Sequence, residues 1–208
     1  MTNCSEEPLA LRKSTIAALA LAGAMAVTAF AAAADERIVF VRHGEKPRDG
    51  LGQLSCRGLN RALALPAFIA AKFGKPDAIF APNPADQKKD NGKPYDYVRP
   101  LITIEPSAIA FGLPVDAEIG FADVKRLQAA LEAPEYQHAL VVVAWEHRLI
   151  DVVVRDLLAG HGGDPEFPPN WAEDDYDSVD VVTIDADGHA TFAHLREGLD
   201  GQPEACPR

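Results

Sequence analysis

The run Ala139-Leu140-Val141-Val142-Val143-Ala144-Trp145 is apolar without a break. A strand with one wet face alternates polar and apolar residues, whereas an unbroken run is buried on both faces. That is the position of a central strand in a parallel sheet covered by helices. Glu146 and His147 follow at once, and then Leu149, Ile150, Val153, Val154, Leu157 and Leu158 recur at helical spacing until Gly160. A strand feeding directly into an amphipathic helix is the building unit of α/β domains.

The same unit stands earlier in the chain. Arg37-Ile38-Val39-Phe40-Val41 reads as a short buried strand. Ser55 can cap a helix over 57–73, with Leu59, Leu63, Ile69, Ala70 and Phe73 on its apolar face and Gly74 ending it. Pro66 lies inside and is expected to kink or divide that helix. Residues 77–81 read as a second strand and 85–96 as a polar surface insertion. A short helix is expected at 106–111, with Pro106 at its first position, and another where Phe121, Val124, Leu127 and Leu131 recur. Strands at 179–184 and 190–195 flank the hairpin turn Asp185-Ala186-Asp187-Gly188. The pattern predicts an α/β fold in three layers: a mostly parallel central sheet, helices on both faces and an antiparallel edge strand.

Residues 1–34 stand apart from the domain at 35–208. Arg12 and Lys13 precede a charge-free apolar stretch over 15–34 that ends in Ala29-Phe30-Ala31-Ala32-Ala33-Ala34. A basic start, an apolar middle and a small-residue exit describe a secretory signal peptide, with a single membrane anchor as the alternative. Export would place the domain in the periplasm or outside the cell, with no membrane attachment after cleavage. There Cys56 and Cys206 could pair, or remain two separate thiols. The net charge of −11 argues against nucleic acid as a partner, because affinity for its backbone comes from Lys and Arg. It also means that any anion site must be a local cluster of cations.

Such a cluster is legible. Arg42-His43-Gly44 follows the first strand, and Glu146-His147 follows the apolar strand. Ligands in open α/β sheets bind beyond the carboxyl ends of the strands, so both histidines project into one crevice if their strands are neighbours. A neutral imidazole with one nitrogen held as a donor presents the other as a nucleophile. Arg42 offers forked donors that match phosphoryl oxygens, and Gly44 is expected to let a phosphate approach closely. His138, His161, His189 and His194 match no compact metal-ligand spacing, and the acidic run Glu173-Asp174-Asp175 lacks calcium-loop spacing.

Val41-Arg42-His43-Gly44-Glu45 resembles the signature of the histidine phosphatase superfamily, which includes the cofactor-dependent phosphoglycerate mutases. Ala81-Pro82-Asn83-Pro84, followed by Arg99-Pro100-Leu101-Ile102-Thr103, is similar to the family's second element. The apolar strand ending at His147 is similar to its third. The resemblance implies a phosphomonoester hydrolase without a cofactor or metal, acting on a small-molecule phosphate ester. It implies that His43 becomes phosphorylated, that Arg42, Arg99 and His147 bind the phosphoryl group, and that a carboxylic acid protonates the leaving oxygen. Glu118, in Gly112-Leu113-Pro114-Val115-Asp116-Ala117-Glu118, leads for that acid, with Glu105 and Glu146 as alternatives. Arg148 stands where the family often has glycine. A mutase, a phosphoprotein phosphatase and a phosphate-binding module without turnover are the competing functions.

Overall fold

A computed structural model of the chain describes Met1 and residues 35–208, so the expected signal segment lies, apart from Met1, outside the described residues. In chain order the elements are β1 (Glu36–Arg42), α1 (Cys56–Lys72), β2 (Ala78–Phe80), β3 (Gln87–Asp90), β4 (Lys93–Asp96), α2 (Arg99–Phe111), α3 (Val124–Leu131), β5 (Leu140–Trp145), α4 (His147–Gly160), β6 (Ser178–Ile184) and β7 (Ala190–Arg196). Five strands form one sheet in the order β2-β5-β1-β6-β7. β1 and β2 both pair in parallel with β5, whereas β6 runs against β1 and β7 against β6. Among the described residues no helix is long and apolar enough to cross a membrane.

Strand alternation sorts the core into two halves. Ile38 and Phe40 of β1 share a cluster with Leu127 and Leu131 of α3 and with Val153, Val154 and Leu157 of α4. Val39 and Val41 face the other way, onto Leu65 and Ile69 of α1 and Ile104 and Ala108 of α2. The sheet is therefore the middle of three layers. β5 contributes to both clusters, which is why it carries no polar residue.

Three elements differ from the sequence reading. α1 runs unbroken through Pro66, because its buried stripe of Arg61, Ala62, Leu65 and Ile69 packs on both sides of the proline and outweighs one lost hydrogen bond. α2 begins at Arg99, well before Pro106, with Pro100 in the first turn where no N–H partner is required. Its buried face carries Arg99, Thr103 and Ser107 besides Ile104 and Ala108, so apolar periodicity could not reveal it. The insertion is a two-stranded hairpin, β3 with β4, turning at Asn91 (φ 48°) and Gly92 (φ 81°). Asn-Gly is the preferred pair for such a turn, since both positions require left-handed backbone.

Behind the carboxyl ends of the strands sits a charged hub. Arg61 is 0 % exposed and donates to Glu45 through Nε (3.0 Å) and Nη2 (2.9 Å), to Asp177 (3.2 Å), to Glu197 (2.6 Å) and to Asp200 (3.0 Å). It ties α1 to the turn after β1 and to the C-terminal segment. A Cys56–Cys206 disulfide and the bonds from Asn60 to the carbonyls of Pro203 and Ala205 fasten that segment to the start of α1.

Candidate active site

β1 and β5 are neighbours with Arg42 opposite Trp145, and the His43 amide donates to the Trp145 carbonyl (3.1 Å). The two strand ends therefore bring the Arg42-His43 turn beside Glu146-His147. The turn is backed by α1 and α2. Gly44 N–H donates to Thr103 Oγ1 (2.9 Å), which in turn donates to the Arg99 carbonyl (2.9 Å). A Cβ on Gly44 would lie 2.9 Å from the Gly58 carbonyl oxygen. Gly44 is thus required by the close approach of α1 to the turn.

His43 is 3 % exposed. Its Nδ1 lies 2.8 Å from the Gly44 carbonyl, an acceptor, so Nδ1 carries the proton and Nε2 holds the lone pair. Burial pushes the ring's pKa well below its ordinary value, and the charges of Arg99, Arg42 and Lys88 push it further down against the Gly44 bond. His43 is a neutral imidazole with one nitrogen presented.

Both arginines are held by one end only. Arg42 Nη1 donates to the carbonyls of Ala172 (3.2 Å), Glu173 (2.9 Å) and Asp175 (2.6 Å), and its guanidinium lies 3.9 Å from the centre of the Tyr176 ring. Arg99 Nη1 and Nη2 grip the Asp90 carboxylate at 2.5 and 3.3 Å, and this pairing outweighs burial to hold the Asp90 pKa down. In both cases Nε is buried without a partner. His147 Nε2 is also buried and unpartnered, and its Nδ1 lies 3.1 Å from Glu146 Oε1 but off the hydrogen-bonding direction. The Tyr97 hydroxyl, fully buried against His43 with ring centres 6.0 Å apart, completes the set of unpartnered donors. Burial drives its pKa up, so it keeps its proton.

A cavity of about 260 Å³ opens beside these groups, lined by Arg42, His147, Glu146, Lys88 and Asp90 among others. Lys88 reaches it from the hairpin, 3.5 Å from Glu146 and over the rings of Tyr97 and Phe121. Burial lowers the Lys88 pKa against the pull of Glu146. Burial would raise that of Glu146, but the contacts with His147, Lys88 and Leu149 N–H prevail and bring it to about 2. Tyr97, Lys88 and Asp90 escaped the sequence reading; the Asn91-Gly92 turn was the signal that could have placed the last two.

Of the expected site residues, Arg42, His43, Arg99 and His147 come together. Glu118 does not line this cavity. It is exposed beside Asp86, Asp123 and Arg126 in a separate surface depression, because the 116–119 segment pairs along β2 and turns this side chain outward. Glu105 is exposed on α2. Of the three candidate acids, Glu146 is the one that lines the cavity.

No family model and no curated protein matches the chain. Solved structures do. An alpha-ribazole phosphatase from Shigella flexneri superposes with a TM-score of 0.51 over 83 % of this chain and 98 % of its own, at 16 % identity. A phosphoserine phosphatase from Entamoeba histolytica, solved with phosphoserine, gives 0.51 over 79 % and 98 % at 13 % identity. A mycobacterial glucosyl-3-phosphoglycerate phosphatase gives 0.51 over 77 % and 97 % at 15 % identity. The chain has the histidine phosphatase fold. Within that fold, His43 follows β1 and His147 opens α4 just after β5, the neighbouring strand, and the β3–β4 hairpin brings Lys88 and Asp90 to the cavity.

Proposed function

We propose that the chain is a phosphomonoester hydrolase in which His43 takes up the phosphoryl group. The observation that carries this reading is the set of buried donors without partners: Arg42 Nε, Arg99 Nε, His147 Nε2 and the Tyr97 hydroxyl. Leaving such groups unpaired costs about 1–3 kcal/mol each, and more for charged ones. A tetrahedral oxyanion offers the acceptors to satisfy several of them at once, and its charge suits the guanidiniums. Asp90 and the carbonyls of 172–175 hold the far ends of the two arginines, so their free edges are oriented before substrate arrives.

In the reaction, His43 Nε2 attacks phosphorus, the P–N bond forms and the ester P–O bond breaks. The leaving oxygen departs with the electron pair and takes a proton. Water then attacks phosphorus and returns a proton to the group that protonated the leaving oxygen, the P–N bond breaks, and inorganic phosphate leaves while His43 regains its lone pair. Glu146 is ionised, so it is a poor first source of the proton. The Lys88 ammonium, with its lowered pKa and its place on the cavity wall, is the donor we assign, and Glu146 holds it in position.

We further propose export. The basic start and apolar stretch of residues 1–34 support it, and so does the Cys56–Cys206 disulfide, a bond that persists in oxidising compartments. The reading is tested by assaying the purified domain on a chromogenic phosphate ester beside His43→Ala. Phosphate release by the wild type and its loss in the variant, at unchanged thermal stability, is the expected result. Equal release by both would overturn the assignment of His43.

A further inference from the structure

We infer that the amino-terminal end of the sheet carries a second binding site, for a small organic cation of the alkylguanidinium class. The site is a cavity of about 240 Å³ where the start of β1, the turn after β6 and the C-terminal ends of α3 and α4 meet. Glu36 opens β1, whereas His43 follows its far end. At about 3.3 Å per strand residue the two sites lie about 20 Å apart. The inference is independent of the phosphatase reading.

Glu36 lines this cavity at 7 % exposure, and its Oε1 is buried without a hydrogen-bond partner. Glu132 follows α3 and His161 follows α4, so the negative ends of two helix dipoles border the same space. His161 donates from Nδ1 to the Gly188 carbonyl (3.1 Å) and sets Nε2 3.4 Å from Glu132 Oε1. Asp185 adds a third carboxylate and His138 the last titratable group, while no Lys or Arg lines the cavity among the described residues. Burial raises the Glu36 pKa to about 7, with Glu132 adding to the rise and His161 and His138 opposing it. A cation here pairs the stranded carboxylate and meets both helix ends favourably. Among the described residues no three His, Cys, Asp or Glu side chains gather closely enough to hold a metal ion. The acceptors are spread, which suits a planar cation with several N–H donors. A guanidinium forks onto one carboxylate and keeps its other edge for a second. The cavity's size limits its alkyl part to a few carbons.

Isothermal titration calorimetry of the purified protein with ethylguanidinium, ethylammonium, tetramethylammonium and Zn²⁺ tests this. Ethylguanidinium should bind more tightly than the other two organic cations, and Glu36→Gln should weaken it by about tenfold or more. Only the ionised Glu36 pairs with the cation, so wild-type affinity should fall about tenfold from pH 8 to pH 6. Binding near pH 7 should also release protons, seen as a heat that depends on the buffer's ionisation enthalpy; this readout needs no variant. Absence of ethylguanidinium binding, equal binding of tetramethylammonium, or an affinity unchanged in Glu36→Gln overturns the inference. So does binding without proton release, or a Zn²⁺ signal that Glu36→Gln abolishes, which would make the site a metal site.

Discussion

Replacing Arg61 with methionine should destabilise the domain severely while leaving its core volume nearly unchanged. Arg61 is fully buried and is shared by four carboxyl groups, among them the almost wholly buried Asp177, while the equally buried Glu197, its pKa pushed up to about 8, is largely a neutral acceptor at pH 7. Removing one partner of a buried pair strands the other charge, at a cost of about 3–5 kcal/mol. For a domain of this size each kcal/mol moves the melting temperature by about 2–4 °C, so a fall of about 6–20 °C is expected. The damage should reach the site as well, because Glu45, gripped by both Nε and Nη2 of Arg61, follows His43 and Gly44 in the same turn. Far-UV circular dichroism melts at pH 7, with the disulfide intact, measure the first effect. Arg61→Lys, which keeps the charge but not the fork, should fall between the two. A melting temperature within 2 °C of wild type in Arg61→Met would refute the hub as a source of stability.

The same hub has a pH signature. Burial, opposed by Arg61 and aided by the neighbouring Asp177 and Glu45, pushes the pKa of Glu197 up to about 8. Its folded pKa exceeds the unfolded value of about 4.3, so its stabilisation is complete below that pH and gone once pH rises through about 8. Glu197→Gln should therefore flatten the decline in melting temperature between pH 5 and 9, and an unchanged decline would contradict the assignment. Lys88→Met should slow hydrolysis of an alkyl phosphate by about 10²–10³ while slowing a nitrophenyl ester, whose leaving group needs no proton, far less. Equal losses on both esters would mean that Lys88 acts by charge alone.

The fold was legible where burial wrote itself as apolar pattern. The unbroken β5 run placed the sheet's centre, and the Gly-ended stripe after it placed α4. α2 was legible only from Pro106 onward, because its first turns bury Arg99 and Thr103, polar side chains satisfied by Asp90 and Gly44 across the fold. The site divides in the same way. Arg42, His43 and His147 follow strands and could be read from their position. Lys88 and Asp90 lie in a segment whose composition is that of a surface loop, and no pattern in the chain pairs them with Glu146 and Arg99. Spacing alone points to Glu118, whose outward position depends on how the 116–119 segment runs beside β2, which spacing does not encode.

The proposed reaction requires a bond between His43 Nε2 and phosphorus. Brief reaction of the wild type with a ³²P-labelled ester, quenching in alkali and peptide mapping should find acid-labile, alkali-stable label on the peptide containing His43, and none in His43→Ala. Steady hydrolysis with no label on the wild-type protein at any quench time, or label carried by another histidine, would contradict the account.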